Sequence, residues 1–100
     1  MSLLESLDTI VAERLSVLVD LGRVTYFKSP PSRPKSMRSL GIHRDQVDFE
    51  ISVWESGEVE LTYGTVDDPH SEHIDISSES ELVKLAERLL ELARTWPQSQ

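Results

Sequence analysis

Metal-ligating residue types crowd together in one stretch of the chain, Asp67, Asp68, His70, Glu72, His73 and Asp75. The spacing is poor for a metal. His70 and His73 stand three apart across a loop-to-strand boundary instead of sharing a helical face, and the remaining histidine, His43, is distant in sequence. Trp54-Glu55-Ser56-Gly57 sets a serine before a glycine but lacks the preceding glycine of a nucleophile elbow, and it joins strand to strand where an elbow joins strand to helix. Carboxylates are plentiful. A general acid, however, needs a dry pocket that raises its proton affinity, and carboxylates on an open sheet face stay solvated and ionised. With four glycines there is no phosphate-binding loop. Neither catalysis nor a cofactor is expected.

The carboxylates are positioned by Val47 to Tyr63. Val47, Phe49, Ile51 and Val53 recur every second residue with Asp48, Glu50 and Ser52 between them, the period of a strand with one dry face. Glu55-Ser56-Gly57 fits a three-residue turn whose last residue takes a positive φ, which glycine does without steric cost. That turn fixes a register in which Trp54 faces Glu58, Val53 faces Val59, Ile51 faces Leu61 and Phe49 faces Tyr63. The apolar residues then share one side of the sheet. Asp48, Glu50, Ser52, Trp54, Glu58, Glu60 and Thr62 share the other. A slip of one residue would bury four carboxylates, at several kcal/mol each, so the register is strongly specified.

The flanking segments supply the other layer. Leu3 to Leu21 carries Leu4, Leu7, Val11, Leu15 and Leu18 at helical spacing, and Gly22 can end that helix in the left-handed conformation. Arg23 to Lys28, β-branched and aromatic, reads as a strand. Ser29 to Lys35 holds three prolines and reads as a loop. In Ser36 to Gln46, Met37, Leu40 and Ile42 either begin another strand or pin an irregular connection to the core. Val66 to Glu72 reads as a loop with turn chemistry at Asp68-Pro69, and His73 to Ser77 as the last strand, with Ile74 and Ile76 inward. Ser78-Glu79-Ser80-Glu81 matches a capping box for a helix from Glu79 to Thr95, whose stripe is Leu82, Leu85, Ala86, Leu89, Leu92, Ala93 and Trp96. The expected fold is α+β: an antiparallel sheet of four strands, or five, with the N- and C-terminal helices packed on one face and the other face open.

At 100 residues the chain is expected to form a single domain, 1–100, with one core. No run of residues is long and apolar enough to span a membrane, and the N-terminal Met-Ser-Leu-Leu-Glu-Ser-Leu-Asp lacks the basic start of a secretion signal. A cytoplasmic protein is expected. Without cysteine, core packing must supply the stability. A net charge of −8 argues against general binding to nucleic acid and favours either plain solubility or a basic partner. The charge is segregated: Lys28, Arg33, Lys35, Arg38 and Arg44 follow one another without an intervening acid. Those cations either pair with acidic neighbours inside the fold or present a basic surface. Trp54, alternating onto the open face, either anchors a partner within a charged rim or folds over the hairpin turn or the first strand.

Val53-Trp54-Glu55-Ser56-Gly57, preceded by an alternating strand and followed by Glu58-Val59-Glu60-Leu61, resembles the hallmark of the TriTu immunity proteins of bacterial polymorphic-toxin systems. The likeness covers about half of the chain, the hairpin and the serine-led C-terminal helix. It implies a cytoplasmic, non-catalytic protein that binds and neutralises a cognate toxin. It assigns no contact residues. Asp48, Glu50, Trp54, Glu58 and Glu60 are the partner-binding candidates on physical grounds, facing a toxin with a basic surface, in a monomer or weak dimer. A small acidic secretion chaperone or adaptor acting as a dimer is the competing expectation, and a metal-sensing or catalytic domain a third.

Overall fold

The computed structural model describes residues 2–30 and 35–96. Two helices, α1 (Leu3–Leu21) and α2 (Glu79–Thr95), enclose five strands: β1 (Arg23–Lys28), β2 (Met37–Arg44), β3 (Val47–Trp54), β4 (Glu58–Gly64) and β5 (Pro69–Asp75). The strands form one antiparallel sheet in chain order, β1-β2-β3-β4-β5. Ser36 to Gln46, ambiguous from its residues, supplies a full strand, β2, because Leu40 and Ile42 are buried against the helices while Met37 faces Trp54. Among the described residues, no helix is long and apolar enough to cross a membrane.

The central hairpin has the register its alternation requires, with Phe49 opposite Tyr63, Ile51 opposite Leu61 and Val53 opposite Val59. Gly57 turns the chain at φ 96°, donates its N–H to the Trp54 carbonyl at 2.9 Å and accepts from Ile76 N–H at 2.8 Å. Phe49, Ile51, Val53, Val59 and Leu61 are fully buried beneath Leu7, Leu18, Leu82 and Leu89 of the helices. Each of these side chains removes roughly 1.5–3 kcal/mol worth of apolar surface from water, which is why both helices collect on this face.

The helices lie side by side and run in the same direction. Ser6 donates to Glu79 at 2.8 Å, and two turns later Arg14 donates to Glu87 at 2.9 Å. Their C-termini converge on Arg44, the last residue of β2. Its guanidinium donates to the carbonyls of Ala93 (2.6 Å) on α2, of the α2 C-cap Trp96 (2.7 Å) and of Leu21 (3.4 Å) on α1. At the other ends, Ser2 and Glu5 form a reciprocal capping box on α1, and the Ser78 hydroxyl accepts from Glu81 N–H on α2.

Several local expectations are corrected. Gly22 is extended (φ 162°), not left-handed; a glycine stands there because a Cβ would lie 2.7 Å from the His43 carbonyl oxygen. Leu15 is 47% exposed, since α1 rolls its stripe toward Ile10 and α2. The last strand runs from Pro69 to Asp75, not from His73 to Ser77. As an edge strand it tolerates a proline at its first position, so the expected loop is half strand. Glu81 closes its cap through Ser77 N–H at 3.1 Å, one residue earlier than a standard capping box. The expected proline-rich loop, Ser29 to Lys35, falls partly on residues 31–34, outside the described residues.

Two substitutions test this architecture by chemical denaturation. Gly57→Val demands a positive φ of a β-branched residue and sets its Cβ 2.3 Å from the Ile76 carbonyl oxygen, so it should cost about 3 kcal/mol or more. Arg44→Met keeps the side-chain length but strips the helix C-termini of their donor. It should cost about 2 kcal/mol, and an unchanged midpoint would mean that water satisfies those carbonyls equally well.

Candidate partner-binding face

Because side chains alternate, the register assigns every strand residue to the helix-covered face or to the uncovered one. The uncovered face is a grid of cross-strand rows. Phe27, Ser39, Ser52, Glu60 and His73 form one row, Thr25, Gly41, Glu50, Thr62 and Ser71 the next, and Arg23, His43, Asp48, Gly64 and Pro69 the one after. Met37 and Trp54 lie at the hairpin end, with Glu58 and Asp75 beside them. All five candidates, Asp48, Glu50, Trp54, Glu58 and Glu60, therefore share this face.

Their surroundings differ. Asp48 is exposed and accepts from His43 Nδ1 at 2.7 Å, and Glu58 takes an ion pair from Lys35 Nζ at 3.0 Å. Glu50 and Glu60 have no ion pair among the described residues. The Trp54 indole is half-buried, and its cross-strand neighbour is Met37 of β2 instead of a residue of β1. It is neither sunk in the core nor free in solvent.

His43 joins three strands. Its Nε2 lies 2.8 Å from Thr25 Oγ1, while Nδ1 meets Asp48. Gly41 leaves room for this line, since a Cβ there would come within 2.6 Å of Thr25 Oγ1 and 2.7 Å of His43 Nε2. Hydroxyl, imidazole and carboxylate in this order are the makings of a nucleophile with its base. Acyl transfer also needs donors aimed at a developing oxyanion, and the main-chain N–H of Thr25 points into the β1–β2 ladder. The line links β1, β2 and β3 side chain to side chain. Reading β2 as a strand with period two would have put His43 on this face; its irregular sequence concealed it.

Three of the cations between positions 28 and 44 serve the covered side. Lys28 and Arg38 reach Asp8 of α1 at 3.7 and 3.2 Å, and the Tyr26 hydroxyl also donates to Asp8. Arg44 holds the helix ends. With Lys35 on Glu58, these four are used within the fold, while Arg33 lies outside the described residues. Intramolecular pairing, the plainer of the two readings of this segment, is what the structure contains.

The histidine-rich stretch is split by the strand. His70 faces the helices, stacked on Tyr63 at 5.1 Å with Trp96 edge-on, whereas His73 lies on the uncovered face opposite Glu60. His70 Nε2 is 3.3 Å from Asp68 Oδ2 but outside hydrogen-bond geometry. Glu72 turns inward to a bidentate pair with Arg88 of α2 and accepts from Tyr63 at 3.2 Å. Among the described residues, no three His, Asp or Glu side chains gather as a metal site.

The titration shifts fall on the covered side or at the helix starts. Burial would raise the Asp8 carboxyl, but the Tyr26 hydroxyl and the Arg38 and Lys28 charges outweigh it and hold the group below the usual carboxylate range. The Arg88 fork does the same for Glu72. Burial, then the Asp8 contact, pushes the Tyr26 phenol up.

No protein-family model matches this chain, and no curated protein or solved structure matches it.

The Asp8 cluster gives a signed pH prediction. A carboxyl held low in the folded state contributes stability that is full above its unfolded pKa and is lost as pH falls through the folded value. The denaturation midpoint should therefore fall on acidification below about pH 4. In Asp8→Asn the drop should be shallower and the midpoint at pH 7 lower. An identical acid limb in both proteins would remove Asp8 from the account.

Proposed function

We propose that the protein acts without catalysis, by presenting the uncovered face of its sheet to a protein partner with a basic surface, and that this partner is a toxin which it neutralises in the cytoplasm. One observation carries the binding surface: Glu50 and Glu60 stand on that face without an ion pair among the described residues, beside a half-buried tryptophan, while three of the five clustered cations are used on the covered side and a fourth, Lys35, pairs with Glu58. Like charges held on adjacent strands repel, and a basic surface docked across them relieves that repulsion. Trp54 supplies the desolvated contact and the carboxylates steer the encounter. The toxin as partner is suggested by the resemblance of Val53 to Gly57 to the immunity-protein hallmark.

Calorimetric titration against the protein encoded immediately upstream tests this reading. Binding should weaken from low to physiological salt, and Trp54→Ala should cost about 2 kcal/mol or more of affinity. Glu50→Lys with Glu60→Lys should slow association and leave the denaturation midpoint unchanged. If the double variant binds as tightly as wild type at both salt concentrations, the face is only solvated surface.

A further inference from the structure

A five-stranded sheet that does not close has two edges, and here they are built differently. In β5, Ile76 N–H points inward to the Gly57 carbonyl, so by alternation the outward main-chain positions are Pro69, Ser71, His73 and Asp75. The first has no donor to offer, and the strand is short of apolar contact. Proline and charge are the usual protections of an edge. In β1, Ser29 N–H points inward to Met37, so the outward N–H and C=O groups belong to Val24, Tyr26 and Lys28. This strand is Arg-Val-Thr-Tyr-Phe-Lys, with high strand propensity and no proline. Apolar side chains flank it on both faces: Phe27, 52% exposed, on the uncovered face, and Leu15 (47%) and Val19 (54%) on α1. On the helical wheel, Leu15 and Val19 continue the side of α1 from which Asp8 meets Tyr26 and Lys28.

We propose that β1 is a dimerisation edge, on which a second copy pairs antiparallel about a two-fold axis through Thr25, extending the sheet across both copies. The strand is complementary to itself in this register. Val24 and Tyr26 exchange main-chain hydrogen bonds with Tyr26 and Val24 of the second copy, and on the helix side they form a β-branched–aromatic pair on each side of the axis. On the uncovered side, Arg23 comes opposite Phe27 of the second copy, so an arginine with no ion pair among the described residues meets an exposed ring. Thr25 meets itself. Leu15 and Val19 of the two α1 helices approach over the joint. A six-residue strand with these flanks buries on the order of 1,000 Å² in total, at the low end for a specific interface, so the dimer is a weak one with a Kd of roughly tens of micromolar. The net charge of −8 on each copy opposes association, so added salt strengthens it, the opposite of binding to a basic partner. Glu50, Glu60 and Trp54 lie on inner strands and are left uncovered.

Sedimentation equilibrium of the full chain, from micromolar to millimolar concentration, tests this edge. Wild type should dimerise reversibly, more tightly at higher salt. Phe27→Lys, an exposed position, should weaken association at least tenfold by setting lysine against Arg23 of the second copy. Adding Arg23→Glu to Phe27→Lys should restore it, which a mere folding defect would not allow. A monomer throughout the range, or a dimer indifferent to Phe27→Lys, would overturn the proposal. Binding to the upstream-encoded protein is measured separately, so failure of either reading leaves the other intact.

Discussion

Two helices that lie side by side and run the same way bring their negative ends together. Each C-terminus carries roughly half an elementary charge in unsatisfied carbonyls, and α1 has no basic residue in its last turn. Arg44 answers this from the sheet. One guanidinium, delocalised and forked, donates to carbonyls of both helices and lies 5.5 Å over the Phe49 ring. Because it ends β2, it also ties the helix layer to a fixed point of the sheet. Apolar burial draws the helices to this face, but burial is non-directional; their parallel course rests on this contact and on the Ser6–Glu79 and Arg14–Glu87 pairs.

Once both helices are held on one face, the charge distribution follows. Arg38 and Arg44 alternate onto the covered side of β2, where low-lying acceptors, Asp8 and the helix carbonyls, await them. Lys28 joins Asp8 from β1. Partly covered cations are stabilised by such partners, and three of the clustered basic residues are used there. The acids of β3 and β4 alternate the other way. Asp48 has His43 and Glu58 has Lys35, but Glu50 and Glu60 have no ion pair among the described residues. The acidity of the uncovered face is thus a consequence of how the covered face is neutralised, and not only of net composition.

The same layering leaves the sheet open at its edges as well as on one face. β5 begins with a proline and alternates polar residues, whereas β1 presents an apolar and aromatic border. The acidic face and the β1 edge are different parts of the sheet, and the two contacts proposed for them would respond to salt in opposite directions.

The sequence by itself determined the elements whose pattern is local and strongly constrained. The β3–β4 register was legible because slipping it would bury carboxylates and because only glycine sits comfortably at the φ of Gly57. Both helices were legible from their apolar spacing and, for α2, its serine cap, and so were the two-layer α+β architecture and the face on which the five candidate residues stand. The remainder depended on neighbours distant in the chain. β2 mixes small, polar and apolar residues, so its strand state emerges only from pairing with β1 and β3 on either side. Gly22 and Gly41 are small because of what packs against them, the His43 carbonyl and the His43 ring, and neither is a local turn signal. The fate of the basic segment was decided last of all, by which face of β2 each cation occupies and by Asp8 and two helix ends lying opposite. Pairing is a matter of distance in space, and the approach of Arg38 to Asp8 and of Arg44 to the helix ends exists only after the sheet and helices have come together.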